Sequence, residues 1–140
     1  MDNTIEIKIP AIETNKEFCS NVVASFVAET LNICEEKKND IKTATCEAVS
    51  NVVSHAYDNG EGLIYIAVKI KDDKTVIIKV KDAGKGIENI SQAKQPMFTT
   101  AMDDSHAGLG FNVMECFSDN VKVVSKVGKG TTVTLKYNIV

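Results

Sequence analysis

The sequence contains no arginine; its basic residues are lysine throughout. Any phosphate this chain holds must therefore be met by lysine, histidine, a metal ion, backbone N–H groups or a helix N-terminus, never by a bidentate guanidinium. There is no apolar run long enough to cross a bilayer and no signal peptide, so a cytoplasmic location with no membrane partner is expected. The four cysteines, Cys19, Cys34, Cys46 and Cys116, form no C-x-x-C pair and fit no zinc spacing, which leaves reduced, buried thiols as the expected state. The net charge is -3 and the lysines are scattered along the chain. Nothing in that scatter makes a basic stripe, and no direct contact with nucleic acid is expected. Internal repeats, linkers and low-complexity stretches are missing as well.

What is present is ordinary for one globular domain over residues 1–140. The composition is 44% hydrophobic and 25% charged, and a chain of 140 residues can bury a sizeable core. Ile5, Ile7 and Ile9 alternate with Glu6 and Lys8 as in a half-buried strand that Pro10 ends. A helix opens at Asn15 with Phe18, Val22, Phe26 and Val27 on one stripe. The polar segment from Asn32 to Asn39 breaks the pattern. A second helix is expected from about Asp40 to Tyr57, with Ile41, Ala44, Ala48 and Val52 inward. Strands follow at Leu63–Ile70 and around Val76, Ile78 and Val80, joined by a hairpin turn at Lys71–Lys74. The stretch from Ala83 to His106 has no continuous period and suggests a short helix near Ile90 and a loop. A helix from Leu109 to Phe117 and two strands, Val121–Val127 and Thr131–Tyr137, complete an α+β two-layer sandwich. Its sheet is expected to be mixed but mostly antiparallel, with helices on one face.

Four clusters carry chemistry. Glu47, Asn51 and His55 stand at i, i+4 and i+8 and so share a helix face if the helix is unbroken. A carboxylate and an amide oxygen one turn apart suit Mg²⁺, or one binds metal while the other handles a proton; a solvated polar helix face is the plain alternative. Asp82 shares the inward face of its strand with Val76, Ile78 and Val80. A carboxylate placed there needs a donor such as the exocyclic amine of adenine. Guanine offers an acceptor at that position, so ATP should be preferred over GTP. Gly84 and Gly86 let the backbone close over a flat base. Gly108-Leu109-Gly110-Phe111 opens a helix whose free N–H groups can cradle phosphate, although no Walker lysine follows. Gly128-Lys129-Gly130-Thr131 precedes the last strand; Thr131 shares a face with Val133 and Leu135, so its hydroxyl can point into the same cavity as Asp82.

Taken in order, E-x-x-x-N on a helix, D-x-G-x-G after a strand, G-x-G at a helix start and G-x-G-T before a final strand resemble the GHKL ATPase superfamily, which shares the Bergerat nucleotide fold. The segments Glu47–His55, Gln95–Thr100 and Gly108–Glu115 are similar to those of the bacterial anti-sigma serine kinases of sporulation, a resemblance that runs over nearly the whole chain. It implies that Asn51 ligates Mg²⁺ and that Glu47 is the general base. It implies that Asp82, Gly86 and Thr131 bind adenine, while Gly108 and Gly110 hold phosphates under a lid from about Gln95 to Ala107. His55, Gly84, Thr99, Thr100, His106, Leu109 and Phe111 are the further nucleotide-binding candidates. The resemblance also implies a homodimer that sequesters a sigma factor in the ATP state and phosphorylates a serine of an anti-anti-sigma protein. Two positions depart from the pattern: His106 stands where relatives carry a lid arginine, and Ser20 where they carry an arginine that meets the protein partners. A nucleotide-gated binding module with little phosphotransfer is the alternative that His106 suggests.

Overall fold

The computed structural model describes residues 1–58, 61–90 and 109–139. Strand β1 (Asn3–Pro10) leads into helices α1 (Asn15–Leu31) and α2 (Glu35–Asn51), and α2 runs on into a π-turn at Val52–Ala56. Strands β2 (Leu63–Ile70) and β3 (Thr75–Asp82) follow, then helix α3 (Leu109–Cys116) and strands β4 (Asn120–Lys126) and β5 (Gly130–Asn138). The five strands form one sheet in the order β1-β2-β3-β5-β4, and each neighbouring pair is antiparallel.

Alternation on the strands sorts the two faces. Ile64, Ile66, Val68 and Ile70 on β2, Val76, Ile78 and Val80 on β3, and Val133, Leu135 and Tyr137 on β5 are buried under the helices. Helix α2 lies between α1 and α3. It can approach both closely because its inward residues are small: Ala44, Thr45 and Ala48 are fully buried beside Ile41 and Val49. Tyr137 ties the far end of α3 to the sheet, its hydroxyl donating to the Phe117 carbonyl at 2.6 Å.

The start of α2 differs from the sequence reading. Helix α2 begins at Glu35, five residues before Asp40. Its polar first turn carries Glu35 and Glu36, which complement the positive end of the helix dipole, so those residues open a helix rather than prolong a loop. The break before it is real: Asn32 closes α1 at φ 51°, and its N–H reaches the Ala28 carbonyl at 2.8 Å. The buried stripe of α1 also differs. It is Cys19, Ser20, Val23, Ala24 and Val27; of the expected residues Val27 is buried, Val22 and Phe26 are half-buried and Phe18 is 54% exposed. The tight α1–α2 contact takes the small side chains; of the cysteines expected to be buried, Cys19 is, whereas Cys34 and Cys116 are exposed and Cys46 is half-buried.

The open face of the sheet shows where the lysines go. By strand alternation it carries Lys8, Lys69, Lys79, Lys81, Lys122, Lys126 and Lys136, every one exposed. Seven of the sixteen lysines, which look scattered along the sequence, are thus gathered on one surface.

Replacing the buried Ile41 by Ala should cost about 2–5 kcal/mol of stability, while Phe18→Ala should cost less than about 1 kcal/mol. Urea denaturation of both variants checks the assignment; a larger loss for Phe18 would restore the stripe first read from the sequence.

Candidate functional site

The site begins where β3 leaves the sheet. Asp82 is 5% exposed. Its Oδ1 accepts the N–H of Gly84 at 2.9 Å and that of Thr131 at 3.2 Å. Both donors converge on one oxygen, and among the described residues Oδ2 receives none. Burial pushes the carboxyl above its ordinary value, opposed by the two backbone donors. A further donor brought to Oδ2 would stabilise the charged form.

The strand exit is bolted to the end of α2. The Lys85 N–H reaches the Ala56 carbonyl at 2.9 Å. Gly84 lies so close that any Cβ there would collide with the same carbonyl oxygen. Tyr57 adds a second fastening: its hydroxyl donates to the Leu63 carbonyl at 2.7 Å and accepts the Ala83 N–H at 2.9 Å. Gly86 then takes φ +78° against the β4–β5 hairpin, which the Gly128 N–H joins through the Lys85 carbonyl at 2.8 Å.

The acid–amide pair lies at this same end of the sandwich. Glu47 and Asn51 both point at the first turn of α3. A Cβ built on Gly110 would stand 3.1 Å from Asn51 Oδ1 and 3.4 Å from Glu47 Oε2. A glycine at that position lets the helix start, with its unpaired N–H groups, sit against two oxygen donors. The arrangement offers hard oxygens and an anion-attracting dipole side by side, which is what a metal-bound polyphosphate requires.

Other residues read from the sequence fall less simply. His55 lies in the π-turn, partly buried; the wider turn changes the angular step after Asn51, so the i, i+4, i+8 stack of an unbroken α-helix does not continue to it. Thr131 meets Asp82 through its backbone N–H, while its hydroxyl lies 2.8 Å from Ser125 Oγ. Phe111 is 5% exposed and belongs to the core. Leu109 opens α3. Thr99, Thr100, His106 and Gly108, with the lid expected from Gln95 to Ala107, lie outside the described residues. Ser20 is fully buried, its hydroxyl donating to the Glu17 carbonyl at 3.0 Å, so it offers a partner no exposed group where relatives are expected to offer an arginine.

Two residues of the site were missed. Ser125 accepts the Ile87 N–H at 2.7 Å and ties the glycine turn to β4; the only hint was its inward register with Val121 and Val123. Tyr57 looked like the last residue of a helix, and its role as a clamp depends on a turn the sequence does not display.

The chain belongs to the family of histidine kinase-like ATPase domains, whose profile matches residues 13–137. Its fold agrees with the RsbU and RsbW domains of a Mycobacterium tuberculosis protein at a TM-score of 0.70, with 21% identity over 97% of this chain and 32% of that one. It also agrees with the mycobacterial sensor histidine kinase MprB at a TM-score of 0.61, with 12% identity over 95% of this chain and 97% of the other. Within the family it stands among the anti-sigma F factors. It is 45% identical to the anti-sigma F factor of Caldanaerobacter subterraneus subsp. tengcongensis over 96% of this chain and 92% of the relative. It is 42% identical to that of Clostridium acetobutylicum over 97% and 94%, and 38% identical to that of Priestia megaterium over 99% and 95%.

Asp82→Asn keeps an acceptor for both backbone donors and removes a buried charge. Because the folded-state carboxyl titrates above its ordinary 3.8, its contribution to stability is full below that value and is lost as pH rises through the folded pKa. The variant should therefore match the parent in acid and melt at the same or a higher temperature near neutrality, yet bind ATP at least about tenfold more weakly. Thermal melts between about pH 4 and pH 8, with ATP titrations alongside, check it; a variant that melts lower and binds ATP normally would refute the assignment.

Proposed function

We propose that the chain is a cytoplasmic anti-sigma factor that binds Mg-ATP as a homodimer. In that state it sequesters a sigma factor, and it transfers the γ-phosphate to a serine of an anti-anti-sigma protein. The observation that carries the reading is the convergence of Glu47 and Asn51 on the start of α3, at the same end of the fold as the buried Asp82. The names of the relatives point to the sigma factor as partner.

Each residue has a task in this proposal. Asp82 takes the exocyclic amine of adenine, with Gly84 and Gly86 closing over the base and Thr131 fixing the carboxylate from the far side. Gly108 and Gly110, at the head of α3, hold phosphate oxygens through backbone N–H groups. Thr99, Thr100 and His106 belong to a lid over the nucleotide. The donor set fits a magnesium ion: Asn51 supplies a neutral hard oxygen, and the space a side chain would fill at Gly110 is kept clear beside it. Bound there, Mg²⁺ would neutralise charge on the phosphates. Glu47 is the general base. As the serine oxygen attacks the γ-phosphorus and the bond to the leaving ADP oxygen breaks, the hydroxyl proton passes to the Glu47 carboxylate, a contribution of roughly 10²–10⁴-fold.

Incubation of the chain with γ-labelled ATP and a candidate anti-anti-sigma protein, scored for phosphoserine, tests this. Glu47→Gln should retain ATP binding and lose transfer by roughly 10²–10⁴-fold; Asn51→Ala should lose magnesium-dependent nucleotide binding. A parent chain that binds ATP and partner but transfers nothing would leave a nucleotide-gated binding module. Full transfer by Glu47→Gln would remove Glu47 from the chemistry.

A further inference from the structure

The strands place seven exposed lysines on the open face of the sheet, against Glu6 within β1 and Asp2 just before it. An antiparallel sheet facing water needs polar side chains there, but it does not need one sign of charge; interspersed glutamate would serve solubility as well. The chain as a whole is acidic at -3, so the face stands against the charge of the rest of the molecule.

The register shows how such a field is tolerated. Lys69 and Lys136 both lie beside Ile77, one on each flanking strand. Lys79 and Lys122 flank Thr134, and Lys8 and Lys81 flank Tyr65. Each of these rows thus has two lysines with a neutral residue between them, and no two lysines are direct cross-strand partners, the placement that would cost most. Strands lie about 4.8 Å apart, so the ammonium groups of a row are rooted roughly 10 Å apart, in rows about 7 Å apart along the strands. Among the described residues, the one ion pair on the face joins Lys69 to Asp2 at 3.5 Å.

We propose that this face binds the phosphate backbone of a nucleic-acid duplex without reading its sequence. Protein partners are disfavoured because interface centres are depleted in lysine and rely on aromatic and arginine anchors; here Tyr65 and Val124 are the exposed large apolar side chains. Single strands are disfavoured because they need a series of stacking aromatics. A duplex asks for what the face has. Five strands span roughly 20 Å, over which a duplex displays about a dozen phosphates, and each lysine–phosphate contact releases condensed counterions without demanding bidentate geometry. This surface is separate from the nucleotide site, since Asp82 lies on the opposite, buried side of the sheet.

Fluorescence anisotropy of a labelled mixed-sequence DNA duplex with the full chain tests the proposal. With about five contacts, affinity should fall by two to three orders of magnitude between about 50 and about 200 mM salt. The triple variant Lys79→Glu, Lys122→Glu, Lys136→Glu should lose at least about 30-fold, and its neutral counterpart with Gln at the same three positions should lose less but in the same direction. The control Lys37→Glu, Lys38→Glu, Lys42→Glu, equal in charge change but on helix α2 in the opposite layer, should stay within about threefold of the parent. No binding by the parent at the lower salt would overturn the idea. So would equal losses in both glutamate triples, which would reduce the effect to net charge, or lysine-dependent binding to phosphatidylserine vesicles with none to the duplex, which would assign the face to a membrane.

Discussion

A buried backbone carbonyl must find a donor, and the carbonyl of Ala56 finds the N–H of Lys85 2.9 Å away. That one hydrogen bond fastens the end of α2 to the exit of β3. Around it the chain leaves no room for a side chain at Gly84, and the Tyr57 hydroxyl spans the neighbouring backbone on both sides. Were the junction loosened, the carboxylate on the strand and the acid–amide pair on the helix would be two unrelated polar groups. Held together, they lie at one end of the sandwich. The π-turn at Val52–Ala56 is what lets the helix present Ala56 there, in keeping with the tendency of such turns to occur at functional places.

The same economy governs the opposite flank. Glycine at position 110 brings the head of α3 against Asn51 and Glu47, and small residues on α2 allow both neighbouring helices to come close. Asp82 is thereby buried with two backbone donors and a raised pKa. It is a group stabilised less than it could be in the protein alone. That shortfall gives a ligand with a suitable N–H something to supply, and it is the physical basis for expecting adenine there.

Much of this was legible in the chain because strands announce themselves by alternation. Val76, Ile78, Val80 and Asp82 fell on the inner face as their period requires, and all four are buried. The order of the glycine motifs was informative as well, since Gly84, Gly86 and Gly110 each lie where backbone or oxygen ligands crowd the space a Cβ would take. What stayed hidden depended on contacts distant in sequence. The inward stripe of α1 could not be picked out, because small residues that fit against α2 look less hydrophobic than Phe18. The hydrogen bond between Ser125 and Thr131 joins two strands, and nothing local marks it. The lysines seemed dispersed because alternate positions on five strands are far apart along the chain yet adjacent on a sheet.

On this account Asp82 reads the amine edge of a base bound at the end of the sandwich that also holds Glu47 and Asn51. Calorimetric titration of the chain with ATP and then GTP, in magnesium, addresses it most directly. A base presenting an acceptor to a buried carboxylate leaves both unpaired, so GTP should bind at least about 100-fold more weakly than ATP. Equal affinity for the two nucleotides would contradict the account.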